Sequence, residues 1–416
     1  MVYTYLMPLL FPRPEHPIGV AYNLRLYGWI KIFSKRVYLP LTAIYLVAVG
    51  HLNLAQIGAL VSIAAITSIA ADIPTGYFAD RVKRKTSIAI GAVLLAIAAL
   101  IYVLFPSFAG GIAAVMGESI GFSFISGAGE ALMHDTLVAM GQVKNYVKVM
   151  GRAQSFGLVG NILLVGLVPM TYTINKRLPF VCGVIAASVL AYAATTLIEP
   201  PREKPAHLTG NIYSGLVLSL RSFINRYTVL LFLAYGLITA FYTVYGTYVN
   251  LVYKNLGIDI GLIGLIYSAS SIVGAIGGWY AGALRKIPFR AYVVFDVFMA
   301  SITMVAIGVT RNLWVAVIMG LLNMGFWRLR SIMYQDKLLK LFGTGGHKAT
   351  LISALDFFDD INEIWLPVLF VRATTGLGYY IGFTVLGITA FVVLTPLFLV
   401  AITILNNHPH SRTQPA

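Results

Sequence analysis

The sequence predicts an all-α polytopic membrane protein, with twelve transmembrane helices in two six-helix pseudo-repeat bundles. Hydrophobic residues make up 58% of the 416 residues and charged residues only 11%, and the mean hydropathy is +0.82. The apolar residues occur in runs of about 20, the length that crosses a bilayer as a helix. Barrel strands would alternate apolar and polar residues over about 10 positions. These runs do not alternate, so helices are predicted.

Twelve apolar runs are long enough to be spans, and the first is unusual because Lys31, Lys35 and Arg36 lie within it. The predicted spans cover residues 25–49, 55–79, 86–105, 110–138, 150–171, 178–198, 227–251, 260–283, 291–309, 313–336, 349–371 and 377–404. The longest internal polar stretch, 199–226, divides them six and six. Apolar residues at roughly helical spacing within it predict a short amphipathic helix on the inner membrane surface.

The domain boundaries follow from this division. They predict a cytoplasmic arm (1–19), a first six-helix bundle (20–198), a cytoplasmic linker (199–226), a second six-helix bundle (227–405) and a cytoplasmic tail (406–416). The arm lacks a basic start and a small-residue cleavage site, so no signal peptide is predicted.

The two halves look like internal repeats. The second span is preceded by Leu52-Asn-Leu-Ala-Gln-Ile-Gly-Ala-Leu60, and the eighth by the similar Ile258-Asp-Ile-Gly-Leu-Ile-Gly-Leu-Ile266. The fourth and tenth spans both end in a segment with an aspartate, Asp135 and Asp336.

The basic residues indicate the orientation of the chain. The net charge is +15, and most Lys and Arg residues fall in the loops on one side of the predicted membrane. The outer loops hold only Lys176, Arg177, Lys254, Arg311 and Arg372. This positive-inside pattern places both termini in the cytoplasm and predicts a multi-pass protein of the cytoplasmic membrane. It also explains the positive charge without a nucleic-acid partner.

Enzyme and cofactor chemistry are not predicted. The chain has no Gly-x-x-x-x-Gly-Lys-Ser/Thr loop for ATP, no His/Cys/Asp cluster with metal-ligand spacing and no catalytic constellation. Its single cysteine, Cys182, allows no intrachain disulfide. We therefore expect no enzyme activity, no cofactor and no bound metal.

The loop between the second and third spans carries the most specific motif, which has the form Gly-x-x-x-Asp-Arg-x-x-Arg-Arg with Lys in the last position. The matching residues are Gly76, Asp80, Arg81, Arg84 and Lys85. Over about residues 20–405, the chain resembles the major facilitator superfamily, a large group of secondary transporters with this motif in this loop. It also looks like the prokaryotic members that carry Ser-Gly-Ala-x-Glu-Ala-x-x-x-Asp in the fourth span, here residues 126–135.

The resemblance implies a gate on the inner side. In the family, the motif Asp meets the start of the eleventh span, and a motif Arg meets an Asp at the inner end of the fourth span. Asp135 occupies the matching position, so the resemblance implies an Arg84–Asp135 pair that holds the inner side closed. The predicted gating residues are Gly76, Asp80, Arg81, Arg84, Lys85 and Asp135. The alternative is that the basic residues of this loop only fix the orientation of the chain in the membrane.

Ionisable residues inside a span are costly and usually face a cavity or a partner. Together with two tyrosines of the seventh span, they give the candidate substrate-binding residues Lys35, Glu130, Tyr242, Tyr245, Arg328 and Arg330. Two alternatives remain open. Lys35 can reach the inner headgroups instead of a cavity, and Glu130 can form a structural ion pair with Lys35 or Arg36.

The candidates for proton coupling are the carboxylates Glu130, Glu118 and Asp72. The resemblance then implies a secondary active transporter that moves a small solute by alternating access, with protons as the candidate coupling ion. Basic residues in both halves favour an anionic or zwitterionic solute. The alternatives are a lipid flippase or scramblase on the same fold, or a drug/proton efflux pump. We expect the partners to be the solute and the lipid bilayer, and the protein to be a monomer.

Overall fold

The computed structural model describes residues 19–201, 228–279, 286–342, 348–375 and 378–407. Most of the predicted tail, almost all of the predicted arm and most of the linker, including its amphipathic helix, lie outside these ranges. The regular elements in the described ranges are all helical, and they confirm the all-α membrane fold that the apolar runs predict.

Thirteen α-helices account for the described spans. In the first half they are α1 (Tyr22–Phe33), α2 (Thr42–Ala48), α3 (Leu54–Arg81), α4 (Arg84–Leu104), α5 (Phe108–Ala139), α6 (Tyr146–Gly160) and α7 (Leu178–Thr196). In the second half they are α8 (Val229–Asn255), α9 (Ile263–Trp279), α10 (Phe289–Thr310), α11 (Leu313–Phe342), α12 (Lys348–Thr374) and α13 (Gly378–Asn407).

Nine helical segments of the described chain are long and apolar enough to cross a membrane. The apolar part of α11 is shorter, covering Leu313–Trp327, and α12 carries several acidic residues. The count of twelve spans therefore stays a prediction, while the membrane-spanning helical character of the chain is clear.

The first predicted span is not one continuous helix, which corrects the expectation for residues 25–49. α1 ends at Phe33, and α2 begins at Thr42 after a short 3-10 helix, Leu39–Leu41. Pro40 lies at the start of that 3-10 helix. A proline has no N–H to donate to the carbonyl four residues earlier, and its ring clashes with that carbonyl, so a continuous α-helix through Arg36 and Pro40 is disfavoured. The break places Lys35 and Arg36 in a non-helical turn.

The chain forms two compact units. The described part of unit 1 comprises residues 19–52, 67–201 and 260–265, and that of unit 2 comprises residues 53–66, 228–259 and those from 266 onward. α3 thus contributes residues to both units.

In unit 1, close backbone approach holds α4 against α5. A Cβ atom on Gly91 would lie 2.5 Å from the carbonyl oxygen of Gly121, and one on Gly121 would lie 2.9 Å from that of Gly91. Small residues of this kind let membrane helices pack with their backbones in contact. Buried Asn23 adds a polar link, because its Nδ2 donates to Thr136 Oγ1 at 3.0 Å and to the Ile198 carbonyl at 2.7 Å.

In unit 2, α8 is the central helix. It is buried along most of its length, and it packs against α12 and α13. Gly236 of α8 lies directly against the backbone of Phe358 in α12, and Gly387 of α13 lies against the Ser301 carbonyl of α10. These close contacts bring polar side chains from α8, α10, α11 and α12 into one buried region.

Candidate functional site

The motif loop forms the ion pair that the resemblance implied. Arg84 Nη1 at the start of α4 contacts Asp135 Oδ2 near the end of α5, and it also donates a hydrogen bond to the Ala131 carbonyl. The two charged side chains are 15% and 17% exposed. The pair is therefore sheltered but within reach of water. Its role in gating stays a prediction.

A glutamate that the sequence analysis did not select binds the backbone of this loop at the start of α4. Glu199, after α7, accepts hydrogen bonds from the backbone N–H groups of Arg84 at 2.9 Å and Lys85 at 3.1 Å. The Lys85 ammonium also donates to the Leu197 carbonyl at 3.1 Å. The first N–H groups of a helix have no partner within the helix, and an anion is stabilised there. Glu199 thus ties the end of the sixth span to the motif.

Gly76 and Arg81, two further motif residues, form fewer contacts among the described residues. Gly76 is exposed, and the guanidinium of Arg81 lies 4.4 Å from the centre of the Tyr77 ring. Asp80 lies in the last turn of α3, and its side chain lies outside the described part of the structure. The expected partner of Asp80 is therefore not tested.

A second polar cluster in unit 1 joins the turn after α1 to α5. Glu118 is buried, and its Oε2 lies 3.1 Å from Arg36 Nη1. The Tyr38 hydroxyl donates to its Oε1 at 2.5 Å. Arg36 also lies over the Phe122 ring, 5.1 Å from its centre. Arg36 therefore pairs with Glu118, and not with Glu130 as one of the alternatives had it.

Glu130 takes a different position on α5. Its side chain is exposed, and it interacts electrostatically with Lys31 and Tyr27 of α1. Lys35, the expected substrate contact, is half-buried. Asp72 is exposed and accepts a hydrogen bond from Ser123 at 2.5 Å. Of the three proton-coupling candidates, Glu118 is thus the buried one, with both carboxylate oxygens engaged.

Unit 2 contains a fully buried guanidinium inside an aromatic cage. Arg330 of α11 is only 1% exposed. Its Cζ lies 5.1 Å from the ring centres of Tyr235, Tyr242 and Tyr334. Its Nη1 donates to Thr239 Oγ1 at 2.6 Å. Arg328, the other predicted arginine, has its side chain outside the described part of the structure.

The counter-ion of Arg330 is Asp296 of α10, another residue that the sequence analysis did not select. Asp296 is 0% exposed, and its Oδ2 lies 3.3 Å from Arg330 Nε. The Tyr242 hydroxyl donates to its Oδ1 at 3.3 Å. An aspartate in the middle of an apolar span was the signal that would have identified it.

The two predicted tyrosines thus differ. Tyr242 belongs to the cage, whereas Tyr245 is fully buried and packs edge-on against Phe383, 5.8 Å between ring centres. In this conformation neither hydroxyl is open to solution, so any substrate contact would require a different conformation of unit 2.

α12 carries four acidic residues beside this cage. They are Asp356, Asp359, Asp360 and Glu363. Glu363 accepts a hydrogen bond from the Thr243 hydroxyl of α8. Asp359 interacts electrostatically with Arg330, and its Oδ1 is sealed from solvent with no hydrogen-bond partner among the described residues.

Comparisons with known proteins agree with the architecture. The family model described as Major Facilitator Superfamily matches residues 26–345. A crystal structure of a mutant of the nucleoside transporter NupG has a TM-score of 0.77 at 14% identity, and the alignment covers 92% of this chain and 100% of that one. Comparison with curated protein sequences gives no match.

Two further solved structures share the fold. A POT family transporter in complex with 5-aminolevulinic acid has a TM-score of 0.71 at 14% identity, with 95% of this chain and 99% of that chain covered. A bacterial homolog of the human lysosomal transporter Spinster has a TM-score of 0.65 at 13% identity, with 94% and 97% covered. At this level of identity, the likeness shows the fold and not the substrate.

Proposed function

Because the chain belongs to the major facilitator superfamily, we propose that it is a secondary active transporter, not an enzyme, which moves a small solute across the cytoplasmic membrane by alternating access. The observation that carries this proposal is the Arg84–Asp135 ion pair in the motif loop. A partly exposed pair contributes only about 0–1 kcal/mol. That is too little to hold a fold together, but it is enough to bias an equilibrium between two conformations.

The gate can be tested with two spin labels on the cytoplasmic side, one in each unit. Electron–electron double resonance then measures the distance between the two labels. Asp135→Asn and Arg84→Gln should each lengthen the distance distribution, because loss of the pair favours the inward-open state. Lys144→Gln is the matched control, since it removes an exposed charge shortly after α5 and changes neither member of the pair. Unchanged distributions in both pair variants would reject the gate.

We propose that the solute is anionic or zwitterionic. Lys31 and Lys35 are half-buried in unit 1, and a half-buried ammonium gains from a bound anion. Lys31 already interacts with Glu130 and Arg330 with Asp296, so either cation would bind a solute by exchanging that partner for it. The zwitterion 5-aminolevulinic acid, bound by one structural relative, and a nucleoside are suitable first probes.

A thermal-shift screen on the purified protein tests this class, followed by flux into proteoliposomes for each hit. Amino acids and organic anions should raise the unfolding temperature, since a ligand that binds the folded state stabilises it. Hits confined to lipids or to cationic drugs would favour the flippase or the efflux pump instead.

For proton coupling, Glu130 remains the proposed group in unit 1. It is exposed and interacts with Lys31, so a proton there would weaken its hold on a cation that we propose as part of the solute site. Glu130→Gln should abolish uphill uptake driven by an imposed pH gradient and leave solute exchange partly intact. Full proton-driven accumulation in Glu130→Gln would place the coupling group elsewhere.

A further inference from the structure

An apolar groove runs along the surface of unit 2 between α10 and α13, and its volume is about 520 Å³. Its α10 residues follow the i, i+3, i+4, i+7 spacing of one helix face. The apolar walls of the groove are formed by Ala291, Val294, Phe295 and Phe298 of α10 and by Phe391 and Leu399 of α13. The three phenylalanine side chains are exposed. Apolar side chains that a span exposes contact lipid, so the polar end of the groove decides whether it binds one lipid specifically.

The polar end of the groove is basic. Arg290, in the first turn of α10, lines it, and its Nη2 donates to the Thr403 Oγ1 atom of α13 at 3.2 Å. The Thr403 hydroxyl donates in turn to the Leu399 carbonyl at 2.7 Å. These bonds hold the guanidinium across the end of the groove, between the two helices. Among the described residues, Thr403 is its only hydrogen-bond partner, so Arg290 can take an anion without giving up a carboxylate.

The length of the groove fits one leaflet of a bilayer. Arg290 and Phe298 are eight positions apart on α10, which corresponds to about 12 Å along a helix. Thr403 and Phe391 are twelve positions apart on α13, or about 18 Å. Half of the hydrocarbon core of a bilayer is about 15 Å thick. The groove therefore extends from the headgroups to about the middle of the membrane, and its basic end is on the side that the positive-inside pattern predicts to be cytoplasmic.

A phospholipid has the matching arrangement of an anionic phosphate above an apolar chain. Lys286 is a second exposed cation, in the turn just before α10 and four positions from Arg290. Cations at this depth attract a headgroup of net negative charge, and they repel the ammonium of a zwitterionic headgroup. Basic pockets between spans on the cytoplasmic side bind anionic headgroups for this reason.

The predicted tail of the chain matches the groove less well. It follows α13 a few residues beyond Thr403, so it is close enough to be considered. Residues 408–416 contain two histidines and an arginine, and they contain neither an acidic residue nor a large apolar one. The tail therefore supplies neither an anion for Arg290 nor a chain for the apolar walls.

We propose that this groove binds one phospholipid with an anionic headgroup. One acyl chain lies along Val294, Phe298 and Phe391, and the phosphate accepts hydrogen bonds from the N–H groups of Arg290 that Thr403 leaves available. The site does not depend on the proposed function, because it needs only a membrane-spanning unit 2. Its test therefore needs no transport.

Native mass spectrometry of the full-length protein in detergent measures how many lipid molecules the protein retains. With phosphatidylglycerol and phosphatidylcholine added in turn, the protein should retain one molecule of the anionic lipid in preference to the zwitterionic one. Arg290→Gln should weaken retention of phosphatidylglycerol about fivefold and change that of phosphatidylcholine little. Lys254→Gln is the matched control, since it removes an exposed cation from the last turn of α8, away from the groove.

A second variant fills the groove and leaves its charge unchanged. Ala291 is exposed on the groove wall, so Ala291→Phe adds bulk without disturbing the buried part of unit 2. It should weaken retention of both lipids, because the acyl chain loses its place. Ala275→Phe, at an exposed alanine of α9 outside the groove, should retain both lipids as the parent protein does.

The inference is overturned if Arg290→Gln or Ala291→Phe retains phosphatidylglycerol as well as the parent protein. Equal retention of the two lipids by the parent protein would reject the anionic headgroup. A dimer mass without lipid would place a second copy of the chain in the groove and would also overturn the inference. A protein that retains the lipid but transports nothing would reject the proposed function alone.

Discussion

Replacement of Asp296 by Asn should strongly destabilise unit 2, because it leaves the buried guanidinium of Arg330 without a counter-ion. The Asp296 Oδ2 and Arg330 Nε atoms are 3.3 Å apart, and the two side chains are 0% and 2% exposed. With an effective dielectric constant of about 20, unit charges at that separation attract by about 5 kcal/mol. Removal of one partner of a buried pair usually costs about 3–5 kcal/mol, which agrees with this value.

The assay is thermal unfolding of the purified protein in detergent, followed by intrinsic fluorescence. For a unit of this size, 1 kcal/mol shifts the unfolding midpoint by about 2–4 °C, so Asp296→Asn should lower it by roughly 6–20 °C. Asp359→Asn is the matched control. The Asp359 Oδ1 atom has no hydrogen-bond partner among the described residues, so an amide of the same shape should change the midpoint by only a few degrees.

A double variant separates the lost charge from the lost packing. Asp296→Ala with Arg330→Met removes both charges, and it should recover much of the stability, because apolar replacement of a buried pair is often neutral or stabilising. A midpoint for Asp296→Asn within about 2 °C of the parent protein, or equal losses for Asp296→Asn and Asp359→Asn, would refute this account of the cage.

Three further substitutions test contacts in unit 1 by the same unfolding assay. Tyr38→Phe removes a hydrogen bond to the Glu118 carboxylate and should cost about 1.5–3 kcal/mol; no loss would mean that the carboxylate finds another donor. Gly91→Ala forces a methyl group against a backbone carbonyl of α5 and should cost about 1–3 kcal/mol. Its control is Gly127→Ala, which has no atom within 4 Å of the added Cβ and should be neutral or stabilising. Equal effects of the two variants would contradict the close packing of α4 against α5. Glu199→Gln removes a negative charge at the start of α4 and should cost about 0.3–1 kcal/mol, a loss that high salt should reduce.

The sequence was sufficient to predict features that depend on local pattern. Apolar runs of membrane length predicted the helices, because a backbone inside lipid must satisfy its own hydrogen bonds. The Arg84–Asp135 contact followed from the family resemblance. Pro40, shortly after the last charge of the first span, was a local signal for the break in that span, and the sequence analysis did not use it.

Features that depend on how helices pack were not predictable in the same way. Glu199 lies 115 positions from Arg84, and no local spacing connects a helix N-terminus to a carboxylate so far along the chain. Spacing also placed Glu130 and Glu118 on the same helix without deciding which of them meets Arg36, since that depends on the rotation of α5 relative to α1. Asp296 was different, because the rule for charges within spans applied to it directly.

The two units bury their ion pairs to different extents, and this difference has a physical consequence. In unit 1, Arg36 is 37% exposed against 7% for Glu118, so water can hydrate the cation when the pair opens. When the pair opens, the Tyr38 hydroxyl still donates to the buried Glu118 carboxylate, so neither charge is left without a polar partner. In unit 2, both partners are buried, at 2% for Arg330 and 0% for Asp296. Opening of that pair would leave two uncompensated charges inside the bundle, which is costly, so the pair is suited to a fixed role in the fold and not to repeated exchange.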